Sequence, residues 1–168
     1  LRMRLDRDVL GYTSTPEEFY DAIAAWQRHY HGFDLDRAWV GYAPGVLTGI
    51  NQAYLTFTDP GDKIIIQPPV YDHFRLYIER MGRVAVDNPL IFEDGRYRMD
   101  FEGLEKLFDE KTKILLLCNP HNPAGRVWTR AELELTGLLI EEVDARKVRR
   151  QQVRRELDAP ELTAYAAG

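Results

Sequence analysis

Four aliphatic residues, Ile114-Leu-Leu-Leu117, run directly into Cys-Asn-Pro-His-Asn-Pro-Ala-Gly125. An apolar run of that length bounded by turn residues predicts a buried strand. Pro120 and Pro123 lack a backbone N–H and fix φ, so the strand stops there. Each proline also pushes the residue before it, Asn119 or Asn122, away from helical backbone, which leaves two side-chain amides on a stiff loop. Thr129-Arg-Ala-Glu132 then carries the Thr-x-x-Glu pattern that opens a helix. An Asn-Pro pair on its own is most simply a capped turn. A loop this long behind a buried strand also suits the positioning of a ligand.

The rest of the chain repeats the same grammar. Thr15-Pro-Glu-Glu18 predicts a helix start, with Phe19, Ile23, Trp26 and Tyr30 on one apolar face and Gly32 at its end. Ala38–Ala43 reads as a strand, Pro44-Gly45 as a turn, and Val46–Thr58 as a helix with Val46, Ile50, Tyr54 and Phe57 inward. A strand, glycine turn and helix in that order aim free backbone N–H groups at an anion, which makes Gly45 and Val46 candidates for holding a phosphate. A plain turn would leave the same pattern.

Asp59-Pro-Gly-Asp62 is a turn, and Lys63-Ile-Ile-Ile-Gln67 is the β-branched run expected of a strand buried on both faces. Tyr71 follows it at the carboxyl end, where open α/β sheets bind ligands, and precedes a helix with Phe74, Ile78 and Met81 inward. It could stack on a planar ring or serve as an ordinary rim tyrosine. Arg83–Asp87 predicts another strand, Glu93-Asp-Gly95 a hairpin turn, and Asp100 the cap of a helix burying Phe101, Leu104 and Phe108. The alternation predicts an α/β fold with a doubly wound, mostly parallel sheet.

Composition narrows the function classes. The net charge is −5, so no general nucleic-acid field is expected. No apolar run approaches the roughly 18 residues of a membrane span, and Leu1-Arg-Met-Arg-Leu-Asp lacks a signal-peptide core. Cys118 is the single cysteine, and with the four histidines it forms no zinc-type spacing. These features set metal sites aside and predict a cytoplasmic protein. A start at Leu1 suggests that the true beginning is absent.

Taken in order, Gly11-Tyr-Thr13, Ala43-Pro-Gly-Val46, Asp59-Pro-Gly-Asp-Lys63, Gln67-Pro-Pro-Val-Tyr71, Gly95-Arg-Tyr-Arg-Met-Asp100 and Leu117–Thr129 resemble the class I/II aminotransferase family of pyridoxal-phosphate enzymes. Within it they are most similar to the cystathionine β-lyase-like C–S lyase branch, over about residues 5 to 135. The resemblance implies pyridoxal 5'-phosphate as cofactor, a sulfur-containing amino acid as substrate and a homodimer. It implies that Gly45 and Val46 offer N–H groups to the cofactor phosphate, that Tyr71 stacks on its ring, and that Asn122 bonds its ring oxygen through a loop with a cis Asn122–Pro123 bond. Tyr12 would reach the phosphate of the neighbouring subunit. Asn119 and His121 are left with supporting roles.

The same resemblance calls for an Asp-Glu-Ile-His strand end and a Ser-x-x-Lys segment, and neither is in the sequence. No lysine present is a candidate for holding the cofactor, and no catalytic residue is assigned. The expected organisation is a partial cofactor domain over 1–137 and a divergent, charged tail, helical or disordered, over 138–168, giving a chain inactive by itself. The alternative is a non-catalytic interaction or assembly module using an exposed sheet edge or the basic tail. A nucleotide-binding domain fits less well, since neither Gly-x-Gly-x-x-Gly nor a Lys-bearing phosphate loop follows any predicted strand.

Overall fold

Lys63-Ile-Ile-Ile66 becomes the central strand, β1, of a three-stranded parallel sheet in a computed structural model that describes residues 2–6, 11, 12 and 14–157. Val84–Asp87 and Thr112–Leu115 flank it, with Ile64 paired to Ala85 on one side and to Ile114 on the other. Numbered in chain order, these outer strands are β2 and β5, and the antiparallel hairpin Ile91–Glu93 and Arg96–Arg98 supplies β3 and β4. Ile64, Ile65 and Ile66 are all buried, which is why this strand is apolar without alternation. Each buried isoleucine contributes about 1.5–3 kcal/mol relative to exposure.

The helices are α1 (Arg2–Leu5), α2 (Glu17–His31), α3 (Val46–Phe57), α4 (His73–Arg80), α5 (Phe101–Lys106) and α6 (Arg130–Leu157), with a 3₁₀ turn at Arg37–Trp39. Tyr54 of α3 and Phe74 and Ile78 of α4 pack with Ile64 and Ile66. A second cluster joins Leu90, Met99 and Trp128, with Leu117 and Leu133 against it. The buried guanidinium of Arg83 donates to Thr58 Oγ1 at 2.9 Å and to the Met81 carbonyl at 2.6 Å. A buried cation needs such partners.

Local chemistry sets the boundaries. The hairpin turn holds Asp94 and Gly95 at positive φ (50° and 74°). Asp100 caps α5 by accepting from the Gly103 N–H at 2.9 Å. At the start of α6, Thr129 and Glu132 form the reciprocal capping box: Glu132 Oε2 accepts from the Thr129 N–H at 2.8 Å, and Thr129 Oγ1 accepts from the Glu132 N–H at 3.3 Å.

The chain divides into two units, Leu1–Val46 and Leu47–Gly168, each described by itself. Three expectations change in or beside the first unit. Ala38–Ala43 is not a strand: Asp36 caps the 3₁₀ turn by accepting from the Ala38 N–H at 2.8 Å, and residues 40–43 pair with no strand among the described residues. A strand without a ladder partner leaves its backbone groups to water. Helix α2 starts at Glu17 with Pro16, not Thr15, in the capping position, and Phe19, Trp26 and Tyr30 are exposed. Gly32 does end it, at φ 61°. In α3 the inward face is Leu47, Ile50 and Tyr54, while Val46 and Phe57 are exposed, a rotation of the stripe by about one residue. Thr13 and residues 158–168 of the expected tail lie outside the described residues, as do the side chains of the basic cluster 146–155.

Candidate functional site

Because β1 and β5 run parallel, the segments that follow them leave the same edge of the sheet. These are Gln67–Asp72 after β1 and Leu116–Thr129 after β5, and the structure joins them. Val70 and Pro123 form an antiparallel bridge. In an antiparallel register one step forward on the first segment faces one step back on the second. Tyr71 and Asn122 therefore each lie one residue from the bridge, on the two joined segments.

A second link lies beside the first. His121 Nε2 is 3.0 Å from the Pro69 carbonyl oxygen, and the ring is buried, edge-on to Trp128 at 5.3 Å. The loop also closes on itself: the His121 N–H donates to the Arg126 carbonyl at 2.7 Å, and the Gly125 N–H donates to the His121 carbonyl at 2.8 Å. Gly125 has φ 65°, which a side chain would resist. The Asn122–Pro123 bond is cis, as the resemblance implies, and so are Pro68–Pro69 and Asn119–Pro120.

The polar side chains of the loop divide into those used by the protein and one that is not. Asn119 Oδ1 accepts from the Trp128 N–H at 3.2 Å, and Trp128 Nε1 donates to the Cys118 carbonyl at 2.9 Å. His121 is taken by Pro69. Asn122 is exposed, and its amide has no hydrogen-bond partner among the described residues. The half-buried Tyr71 ring, on the other joined segment, lies parallel to His73, 4.8 Å between centroids and 12° between planes, and meets the edge of Phe74 at 5.5 Å. A flat ring and an unused amide thus lie on the two segments that the bridge joins.

Arg126 anchors the far end of the loop. Its guanidinium lies 4.4 Å above the Trp128 ring, donates to the Tyr97 carbonyl, and makes paired bonds to Glu132 Oε1 and Oε2 at 2.8 and 2.7 Å. Burial pushes the Glu132 carboxyl up, but the Thr129 N–H and hydroxyl and the Arg126 charge outweigh it and hold the group below its ordinary value. Underneath, Gln67 Nε2 donates to Asn88 Oδ1 at 3.1 Å, and Asn88 Nδ2 to the Asp100 carbonyl at 3.0 Å.

Gly45 and Val46 sit where α3 begins. Gly45 has φ 101° and its N–H donates to the Ala43 carbonyl at 2.8 Å, while the Val46 N–H opens the helix and has no carbonyl one turn earlier in it. Tyr12 is fully exposed and makes no ring contact or hydrogen bond among the described residues. Four of the five lysines lie away from the loop. Lys63 begins β1 and pairs with Asp109 at 2.5 Å, Lys113 sits near the start of β5 with its ammonium on the Glu110 carbonyl at 3.0 Å, and Lys106 and Lys111 flank the preceding turn. Those positions are on the amino edge of the strands.

Sequence reasoning missed the stacking of His73 under Tyr71 and the Gln67–Asn88 pair. Two-residue spacing of aromatics after a strand signalled the first. No local signal could have found the second, whose partners are 21 residues apart.

The family model described as aminotransferase class I and II matches residues 2–158. "Cystathionine beta-lyase PatB" of Bacillus subtilis (strain 168) is 42% identical over 140 residues, 83% of this chain and 36% of that protein. Cystalysin from Treponema denticola, whose crystal structure contains pyridoxal 5'-phosphate, superposes with a TM-score of 0.79 at 38% identity, covering 84% of this chain and 36% of that one. The pyridoxal-phosphate-bound C–S lyase from Staphylococcus hominis gives 0.79 at 32% identity, covering 85% and 38%. The chain thus spans a little over a third of the length of these relatives. With a parallel α/β sheet and the loops above, it belongs to the aminotransferase class I and II family.

Proposed function

We propose that this chain is the cofactor-holding part of a pyridoxal-phosphate-dependent C–S β-lyase, close to the cystathionine β-lyases and the aminotransferases, acting on a sulfur-containing amino acid. The observation that supports the reading is the Val70–Pro123 bridge, beside which lie Tyr71 on one segment and the unpartnered Asn122 on the other. The residues fit the group. Tyr71, backed by His73, presents a flat ring for stacking, and Asn122 has an N–H donor to spare for a ring oxygen. Val46 N–H, with Gly45 beside it, suits a phosphate at the start of α3. Tyr12 is exposed and available to the phosphate of a second copy, which makes a homodimer part of the proposal.

Bound pyridoxal phosphate supplies a ring that accepts electron density from the substrate α-carbon, so that a β-sulfur can leave. These residues would hold that ring, Tyr71 by stacking on it and Asn122 by a hydrogen bond to its oxygen. Moving the α-proton requires a lysine on the carboxyl edge, and Lys63, Lys106, Lys111 and Lys113 are on the other edge. We therefore propose that the 168 residues by themselves hold the cofactor without a covalent link and without turnover.

Titrating the chain with pyridoxal phosphate, reducing with borohydride and mapping the peptides tests both statements. Saturable binding without a stoichiometrically modified lysine is expected. One fully labelled lysine together with cleavage of cystathionine would defeat the second statement, and absence of any saturable binding would defeat the first.

A further inference from the structure

His121 is among the most buried side chains in the molecule, at 1% exposure, yet only one of its two ring nitrogens has a partner. Nε2 lies 3.0 Å from the Pro69 carbonyl, which can only accept, so Nε2 carries the hydrogen. Nδ1 has no partner. A buried polar atom left unpaired costs stability, so the ring is not there as neutral filling. Among the described residues, this is the one side-chain hydrogen bond that joins the loop after β1 to the loop after β5. Trp128 and the paired backbone of Arg126 hold His121 from behind, and Val70–Pro123 lies immediately beyond it.

We propose that His121 is a positioning residue that sets the separation of Tyr71 and Asn122, acting through the Pro69 carbonyl rather than by touching the cofactor. The inference rests on the cofactor reading above. Pro69 is two residues before Tyr71, and His121 is the neighbour of Asn122. A bond between Pro69 and His121 therefore adds a side-chain link to the Val70–Pro123 bridge on the same two segments, next to both members of the pair.

The donor is Nε2, which gives the test its selectivity. In His121→Gln the side-chain Nε2 can still reach the Pro69 carbonyl, whereas His121→Leu fills similar space with no donor. In the full chain, pyridoxal-phosphate affinity, read by quenching of tryptophan fluorescence, should fall on the order of tenfold in His121→Leu and recover most of that loss in His121→Gln, since one hydrogen bond is at stake. In the unliganded wild-type chain, nitrogen-15 spectra of the imidazole should place the hydrogen on Nε2 and leave Nδ1 bare. Thermal unfolding of both variants identifies any general loss of fold.

An Nδ1–H imidazole, or a His121→Leu chain that binds as the wild type does, overturns the proposal while leaving the cofactor reading standing. The same holds if His121→Gln and His121→Leu lose affinity equally at matched stability. A wild-type chain that binds no pyridoxal phosphate overturns both. If His121→Leu does not fold, the comparison of His121→Gln with wild type and the imidazole spectrum still decide the matter.

Discussion

Val70 faces Pro123 across a single antiparallel bridge, and Tyr71 and Asn122 are the residues next to it on the two joined segments. Two loops whose bridging residues are 53 apart in sequence are thereby joined on the carboxyl edge of a parallel sheet. Substitutions at the two residues should separate their contributions. Asn122→Ala should weaken pyridoxal-phosphate binding about tenfold, as expected for loss of a hydrogen bond to a charged oxygen. Tyr71→Ala should weaken it roughly fivefold, and Tyr71→Phe should keep most of the affinity because the stacking face remains. Equilibrium dialysis of the three variants checks this order.

Tyr54 predicts an alkaline limb to stability. Its ring is buried, its hydroxyl has no hydrogen-bond partner among the described residues, and burial pushes its pKa up to about 12 from 10.0. The unfolded chain ionises first, so stability falls as pH rises from 10 through about 12. Tyr54→Phe should remove that limb and, by deleting an unsatisfied hydroxyl, raise neutral-pH stability by about 1 kcal/mol. Urea unfolding of both chains between neutral pH and the alkaline range measures the difference.

Glu132 predicts the opposite limb. Its carboxyl is held below the ordinary 4.5, so near that value the unfolded state binds more protons than the folded one. The stabilisation by the Thr129 and Arg126 contacts is present above pH 4.5 and is lost as pH falls through the lower folded value. Glu132→Gln should flatten this part of the acid profile and lower the unfolding midpoint at neutral pH, since Arg126 loses its paired acceptor over Trp128. Thermal unfolding from pH 7 downward is the measurement.

The parallel sheet was legible because Ile64, Ile65 and Ile66 are buried on both faces and leave an unbroken apolar run. Its helices and capping residues, Gly32, Asp100 and Thr129 with Glu132, were legible because capping is local chemistry. Ala38–Ala43 misled because strand-forming composition does not supply a ladder partner. The inward face of α3 was misplaced because Val46 and Leu47 are equally apolar, and tertiary packing chooses between them. At the site, Tyr71 and Asn122 could be named from motifs, but the joining of their two segments depends on a pairing 53 residues apart that no local pattern records. The role of His121 was hidden for the same reason: its partner is 52 residues away.

The central claim is that the Tyr71–Asn122 surface holds pyridoxal phosphate. Mapping backbone amide shifts of nitrogen-15-labelled chain during titration with the cofactor tests it most directly. Saturable shifts concentrated at residues 70–72 and 121–125, and their collapse in Asn122→Ala, are expected. Shifts confined to Lys63, Lys106, Lys111 and Lys113, as from adventitious imine formation, or no saturable shifts at all, would contradict it.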